Sequence, residues 1–180
     1  MTAGLDRRGL LGGLAAGGAA LAGVGAGAGH AAAAEPPVGP RSVLVYTAVA
    51  LLEERVSHGT TPYGERFRVP IIGGSFEGPD IKGRIVPGGA DWQLLRSDGY
   101  LELVADYFME TDDKVQIKVT NRGLIQTVPG PDGKRYAMTT PRFEAPMGKY
   151  SWLNQLIFAG TAAPGDAKVP SVRLAIYKLV

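Results

Sequence analysis

Between positions 100 and 122 apolar and polar residues alternate with a period of two. Leu101, Leu103, Ala105, Tyr107 and Met109 fall on one face of an extended chain, with Glu102, Asp106 and Glu110 on the other. That is the signature of a strand covered on one side. After Asp112-Asp113 the pattern resumes: Val115, Ile117 and Val119 continue the apolar row, opposite Gln116, Lys118, Thr120 and Arg122. Asp98-Gly99 predicts a second hairpin, between Trp92–Arg96 and Tyr100–Thr111, because this dipeptide accepts the positive φ of a tight turn. Further strands are predicted over Phe67–Phe76, Ile81–Val86 and Tyr136–Phe143, and at the alternating Val172, Leu174 and Ile176. Gly78-Pro79-Asp80 and Pro131-Asp132-Gly133 supply turns between them. Leu44–Val56 is apolar on both faces at first, which predicts a strand buried on both sides, although its periodicity also admits a helix. Lys149–Leu156 reads as the one short helix.

Eight or so strands in meander order, closely spaced turns and little helix predict an antiparallel barrel or sandwich. A closed barrel is favoured because it leaves no long edge to pair with other chains. The expected fold is therefore all-β: a single antiparallel meander β-barrel, lipocalin-like in size, with one short helix. It should occupy 43–180, with no internal repeat and no second domain.

The first 42 residues have a different composition. Asp6-Arg7-Arg8-Gly9-Leu10-Leu11 precedes an uncharged Gly/Ala stretch that ends in Ala31-Ala32-Ala33-Ala34 before Glu35-Pro36-Pro37. Paired arginines, a weakly apolar run and small residues before a proline have the three-part form of a twin-arginine export signal. Residues 1–34 are read as that signal and 35–42 as a linker, which implies a periplasmic or extracellular destination. From Leu10 to Gly29 only Leu10, Leu11, Leu14, Leu21 and Val24 are large and apolar. An uncleaved membrane anchor is the competing reading, but so weakly apolar a run holds a bilayer poorly.

Charge and composition then remove whole classes of function. The chain has 19 Lys+Arg and 17 Asp+Glu; without Arg7, Arg8 and Asp6, 17 basic and 16 acidic residues remain. Such a nearly neutral domain has no electrostatic pull towards nucleic acid or anionic lipid. The absence of cysteine excludes disulfides, thiolate catalysis, iron–sulfur clusters and zinc–thiolate sites. Only His30 and His58 are available as imidazoles, and His30 leaves with the signal. No metal and no cofactor is therefore expected.

Six ordered motifs carry a resemblance. They are Gly73-Gly74-Ser75-Phe76-Glu77-Gly78-Pro79, Pro87-Gly88-Gly89-Ala90-Asp91-Trp92-Gln93, Glu110-Thr111-Asp112-Asp113, Asn121-Arg122-Gly123, Thr140-Pro141-Arg142-Phe143-Glu144 and Tyr150-Ser151-Trp152-Leu153-Asn154. Over Val43–Val180 the chain resembles the domain-of-unknown-function family 3237, the uncharacterised protein family 0311 group. The resemblance implies a compact β-barrel and no established common activity. The chain departs from the pattern at Lys114, where a glycine usually closes the Asp-Asp turn, at Leu124-Ile125 and at Ala162-Ala163.

Strand parity selects the candidate site. Asn121 extends the apolar row of Val115, Ile117 and Val119, and Arg142 extends that of Tyr136 and Met138, so both are expected to face the barrel interior. Asp91, beside Trp92 and after a Gly-Gly turn, is a partner for the guanidinium at a barrel mouth. Asp91, Trp92, Asn121, Arg142 and Glu144 would then surround a small organic ligand. An internal Arg142–Asp91 or Arg142–Glu144 ion pair that only fixes the barrel end is an equal alternative. An enzyme doing acid–base chemistry on a small carbonyl or lactone-type substrate is the second function class, with Asp91 and Glu110 as its carboxyl pair. A structural or oligomeric protein without a ligand is the third. A homodimer through barrel edges or the Lys149–Leu156 helix is compatible with the sequence.

Overall fold

The computed structural model describes residues 37–166 and 168–180. The predicted export signal over 1–34 and the first residues of the linker lie outside them. In chain order the strands are β1 (Ser42–Leu52), β2 (Val56–Thr61), β3 (Gly64–Glu77), β4 (Lys82–Ile85), β5 (Gly89–Leu95), β6 (Tyr100–Thr111), β7 (Gln116–Gln126), β8 (Ala137–Glu144), β9 (Phe158–Pro164) and β10 (Ser171–Leu179). Sequence alternation becomes alternating burial in β6 and β7, where Leu103, Tyr107, Met109, Ile117 and Val119 are buried and Glu102 and Arg122 are exposed. The two strands pair antiparallel with Tyr107 opposite Val119 and Met109 opposite Ile117. Directly opposed residues share a face, so both apolar rows line one side.

Hydrogen bonding runs β1-β10-β9-β8-β7-β6, then through β5 and β4 to β3, and returns to β1. All pairings are antiparallel. Because β4 and β5 lie end to end between β3 and β6, they make one interrupted stave of a closed eight-strand barrel. β2 pairs with β3 beyond the end of β1, so the β2–β3 hairpin overhangs one rim. Closure brings β3 hard against β1: a Cβ at Gly74 would lie 2.0 Å from the carbonyl oxygen of Val49. The Gly73-Gly74 pair thus permits the pairing that closes the wall.

Large side chains fill one end of the barrel. Tyr46 packs edge-on against Phe76 and Phe143, at ring separations of 5.6 and 6.2 Å, and Phe143 against Phe158 at 4.9 Å. Tyr150 and Leu153, from the β8–β9 connection, are buried in the same cluster and plug this end. The expected helix over Lys149–Leu156 shrinks to a single 3-10 turn, Ser151–Asn154. That segment is held by side chains instead of a helical ladder. Asn154 donates to the Ala145 carbonyl and accepts from its N–H, both at 2.8 Å. Asp113 accepts from Thr111, Tyr150 and Lys149 at 2.6, 2.8 and 2.9 Å. These hydrogen bonds, from Thr111 first, hold its carboxyl well below the usual carboxylate range.

Three other expectations change. Leu44–Val56 is not buried on both sides: Val43, Leu44 and Val49 are exposed, and a bulge between Leu44 and Tyr46 lets Val45 and Tyr46 both turn inward. β2 and β9 were not expected as strands; Ser57 and His58 belong to β2 but remain exposed, as a surface segment should. Among the described residues no helix is long and apolar enough to cross a membrane.

At the Asp-Asp turn Lys114 has φ 68°, the only positive φ at a non-glycine among the described residues. A left-handed residue with a Cβ costs about 1–2 kcal/mol, part of which a glycine returns as lost chain entropy. The Lys114–Glu110 ion pair is 3.5 Å long with the lysine largely exposed, so it offsets little. Lys114→Gly is expected to raise Tm by roughly 2–3 °C in a calorimetric scan. An unchanged or lower Tm would mean that the lysine makes up the backbone cost through contacts of its own.

Candidate functional site

The end of the barrel away from the aromatic plug is not filled. Small residues face inward there (Ala50 on β1, Ala105 on β6, Ala162 on β9) and leave a cavity of about 120 Å³. Leu52, Ile125 and Val172 at its rim are only half-buried, so it reaches the surface between them. Across the wall, cross-strand neighbours align in transverse rows. One row runs Val69, Asp91, Ala105, Asn121 and Pro141 from β3 to β8. The next runs Gln93, Leu103, Gly123, Thr139 and Gly160 from β5 to β9. Thr139 fits only because both neighbours in its row are glycines. A Cβ at Gly160 would lie 2.5 Å from its hydroxyl, and one at Gly123 2.9 Å from its methyl group.

Into this apolar cavity the two rows project polar atoms without protein partners. Asn121 and Thr139 are each 2% exposed, yet Asn121 Oδ1 and Thr139 Oγ1 accept or donate no hydrogen bond. Asp91 uses one carboxylate oxygen to accept from Gln93 Nε2 at 2.7 Å; the other, Oδ1, is buried and unpartnered. Burial raises the Asp91 pKa, against the opposing hydrogen bond from Gln93. Burial likewise pushes the Tyr107 hydroxyl, on the cavity wall, and the Tyr46 hydroxyl beyond it above the usual phenol range, so both stay neutral. Tyr46 Oη also lacks a hydrogen-bond partner. Folded proteins satisfy the great majority of buried polar atoms, and each one left over costs about 1–3 kcal/mol. Three of them, Asp91 Oδ1, Asn121 Oδ1 and Thr139 Oγ1, belong to residues that line one cavity.

The sequence-predicted residues divide between two faces. Asp91 and Asn121 line the lumen cavity. Trp92 points outward, 48% exposed, and stacks on His58 with ring centroids 6.2 Å apart. Arg142 also points outward. It sits opposite Thr120 on the solvent face, with Tyr136 and Met138, which are themselves exposed. The inward row of β8 is Ala137, Thr139, Pro141 and Phe143. Arg142 and Glu144 instead border an outer groove of about 620 Å³ beside Asn154, Leu156 and Ile157. Among the described residues neither an Arg142–Asp91 nor an Arg142–Glu144 ion pair forms. Glu110 lies outside as well, 3.1 Å from Arg84, which holds its carboxyl below its ordinary pKa. Asp91 and Glu110 therefore do not assemble as a catalytic pair. Thr139, Gln93 and Tyr107 were not singled out from the sequence. Their signals were Thr139's place in the row ending at Phe143, Gln93's two-residue step from Asp91, and Tyr107's polar end on an apolar row. Among the described residues no group of three His, Asp or Glu side chains could hold a metal.

The family model described as "Protein of unknown function (DUF3237)" matches residues 40–179, the whole barrel. The chain belongs to this family. A UPF0311 protein of Rhodopseudomonas palustris strain TIE-1 is 37% identical over 130 residues, spanning 66% of this chain and 85% of that protein. The crystal structure of a β-barrel-like protein from Acinetobacter baumannii AYE aligns with TM-score 0.74 and 30% identity, covering 82% of this chain and 99% of that one. A conserved protein of unknown function from R. palustris aligns with TM-score 0.71 and 31% identity over 78% and 98% of the two chains. Four of the six motifs fall into two groups in this chain. Those around Asp113, Tyr150 and Asn154 are fully hydrogen-bonded and hold the plugged end together. Those containing Asp91, Asn121 and Gly123 surround the cavity.

Asp91 gives the site a pH signature. Its folded pKa lies above the ordinary carboxylate value, so the native state holds that proton more tightly than the unfolded chain. The stability this brings is complete below the unfolded pKa of about 4 and is lost as pH rises through the raised one. Asp91→Asn removes the titration. Tm curves of the two proteins should differ by a constant at low pH, with the wild type falling relative to Asp91→Asn as pH climbs towards 8. Parallel curves across that range would show that the carboxyl pays no burial penalty.

Proposed function

We propose that this DUF3237 barrel binds a small organic molecule in its lumen. The observation that carries the reading is the set of unpartnered polar atoms of Asp91, Asn121 and Thr139 around an otherwise apolar cavity. A folded chain that merely needed a solid interior would place leucine or valine at these positions. The outer grooves support a site less well, because their polar side chains already face water. The cavity is about the size that holds one six-membered ring, so the rest of a larger ligand would project through the rim. Native mass spectrometry of the purified full chain tests this. An extra mass should accompany wild type and Arg142→Ala and be absent from Asn121→Leu. Loss in Arg142→Ala with retention in Asn121→Leu would move the site to the outer groove and sink the lumen reading.

Burial of Asp91 supports a second reading, an enzyme acting by proton transfer on a small carbonyl or lactone-type substrate. A carboxyl whose pKa is raised by burial holds its proton to higher pH than a solvated one, which is what a general acid requires. Asp91 would work alone in that role, since Glu110 is on the other face.

We further propose that the chain is exported through the twin-arginine route to the periplasm or beyond. Arg7-Arg8, the Gly/Ala run and Ala31–Ala34 support it. Replacing Arg7 and Arg8 together by lysine should leave uncleaved precursor in the cytoplasm in a pulse-chase experiment. Equal processing of both forms would argue against this route.

A further inference from the structure

The lumen carries one formal charge, and it is negative. Among the described residues Asp91 is the only acidic one on the cavity wall, and no lysine, arginine or histidine lines it. The arginine that the sequence pattern pointed inward lies outside, in the groove with Glu144. The wall's unmet demand is also mostly of one kind. Asp91 Oδ1 and Asn121 Oδ1 are acceptors, while Thr139 Oγ1 can both donate and accept. Their positions spread this demand around the barrel, since Asp91 is on β5, Asn121 on β7 and Thr139 on β8. Between them the wall is aliphatic, from Leu103, Ala105, Ile125 and Leu174.

From this inventory we infer that the lumen takes a neutral, ring-sized hydroxylated molecule whose O–H groups donate to Asp91 and Asn121. The inference rests on the lumen being a binding site at all. Its physical content is a selection rule. A carboxylate or phosphate entering the cavity would meet the Asp91 charge with no cation to offset it. A ketone or ether of the same shape could accept from Thr139 or from the Asn121 amide, but it would leave Asp91 Oδ1 and Asn121 Oδ1 as bare as before. A hydrocarbon would fill the volume and satisfy nothing. A hydroxyl both fills and satisfies, and sites built to bond a ligand hydroxyl reject analogues that lack it far more strongly than apolar walls reject an extra methylene.

Four probes with one ring shape test the rule: cyclohexanol, cyclohexanone, methylcyclohexane and cyclohexanecarboxylate. Each is titrated at pH 7.5 into the isotope-labelled full chain, and the amide shifts of Asp91, Asn121 and Thr139 are followed. Cyclohexanol is expected to bind at least about tenfold tighter than the ketone or the hydrocarbon, and the carboxylate to leave these signals unmoved. Asp91→Asn, which keeps the shape and supplies a donor as well as an acceptor, should erase the preference of alcohol over ketone. Arg142→Ala, on the outer face and away from the lumen, should keep it. Tighter binding of cyclohexanone would overturn the inference and favour Asp91 as a proton donor to carbonyls. Binding of the carboxylate equal to that of the alcohol would overturn it too, and in either case the lumen would stand as a binding site. No shift from any probe would overturn the inference together with the binding reading beneath it.

Discussion

Closing β1 onto β3 is the constraint from which the rest of the molecule follows. A meander of this length could end as an open sheet with two exposed edges. Pairing Thr47–Leu52 with β3 removes both edges at once. The closure demands that two backbones approach within the space of a missing Cβ, which Gly74 permits. Once the wall is closed at eight staves, its interior has a fixed width, just enough for side chains to fill. Every inward position must then contribute volume, and any run of small residues leaves a hole that the backbone cannot collapse to fill. The cavity beside Ala50, Ala105 and Ala162 is such a hole, and its existence depends on closure as much as on those alanines.

The same wall serves two purposes along its length. Towards the Tyr150–Leu153 plug the inward residues are aromatic or large aliphatic, and the polar residues around the plug are paired, as Asp113 with Thr111, Tyr150 and Lys149. Towards the rim the inward residues shrink and the polar ones lose their partners. An aromatic core can support a cavity a few residues away because interiors are close-packed and stiff, so the rows above it cannot relax inwards.

Sequence periodicity could reveal which residues share a face, but not always which face is inside. In β6 and β7 the two rows differ sharply, charged against apolar, and the inward positions of Asn121, Tyr107 and Val119 followed directly. In β8 the outward row of Tyr136, Met138 and Arg142 is the more apolar of the two in part, while the inward row holds Thr139 and Pro141. Parity correctly linked Arg142 with Met138 and assigned both to the wrong side, because the deciding information is the register with β7, which places Thr139 opposite Gly123. In β9, Phe158–Pro164, the segment Ala-Gly-Thr-Ala-Ala carries one β-branched residue among alanines and a glycine, too weak a strand signal to stand out. Its small residues are required by Thr139 and by the cavity. Asp91 was found through its neighbour Trp92, which turned out to face solvent; the glycine turn before it was the better guide.

Moving Arg142 out of the barrel changes the electrostatics of the site. With an arginine beside Asp91 the lumen would be an internally neutral pair, able to persist with no ligand and to welcome an anion. Without it, Asp91 is a carboxyl whose only hydrogen-bond partner is Gln93, in a cavity of low polarity, and each unpartnered oxygen is a standing cost. At the plugged end the exposed side chains of Asn154 and Asp113 make two or three hydrogen bonds each. Of the four unpartnered buried polar atoms among the described residues, three belong to residues that border the place where the wall also leaves room; the fourth is Tyr46 Oη. Local departures of this kind from an otherwise consistent design are where binding sites are expected, and they tie the position of the cavity and its polarity to two adjacent rows of cross-strand neighbours.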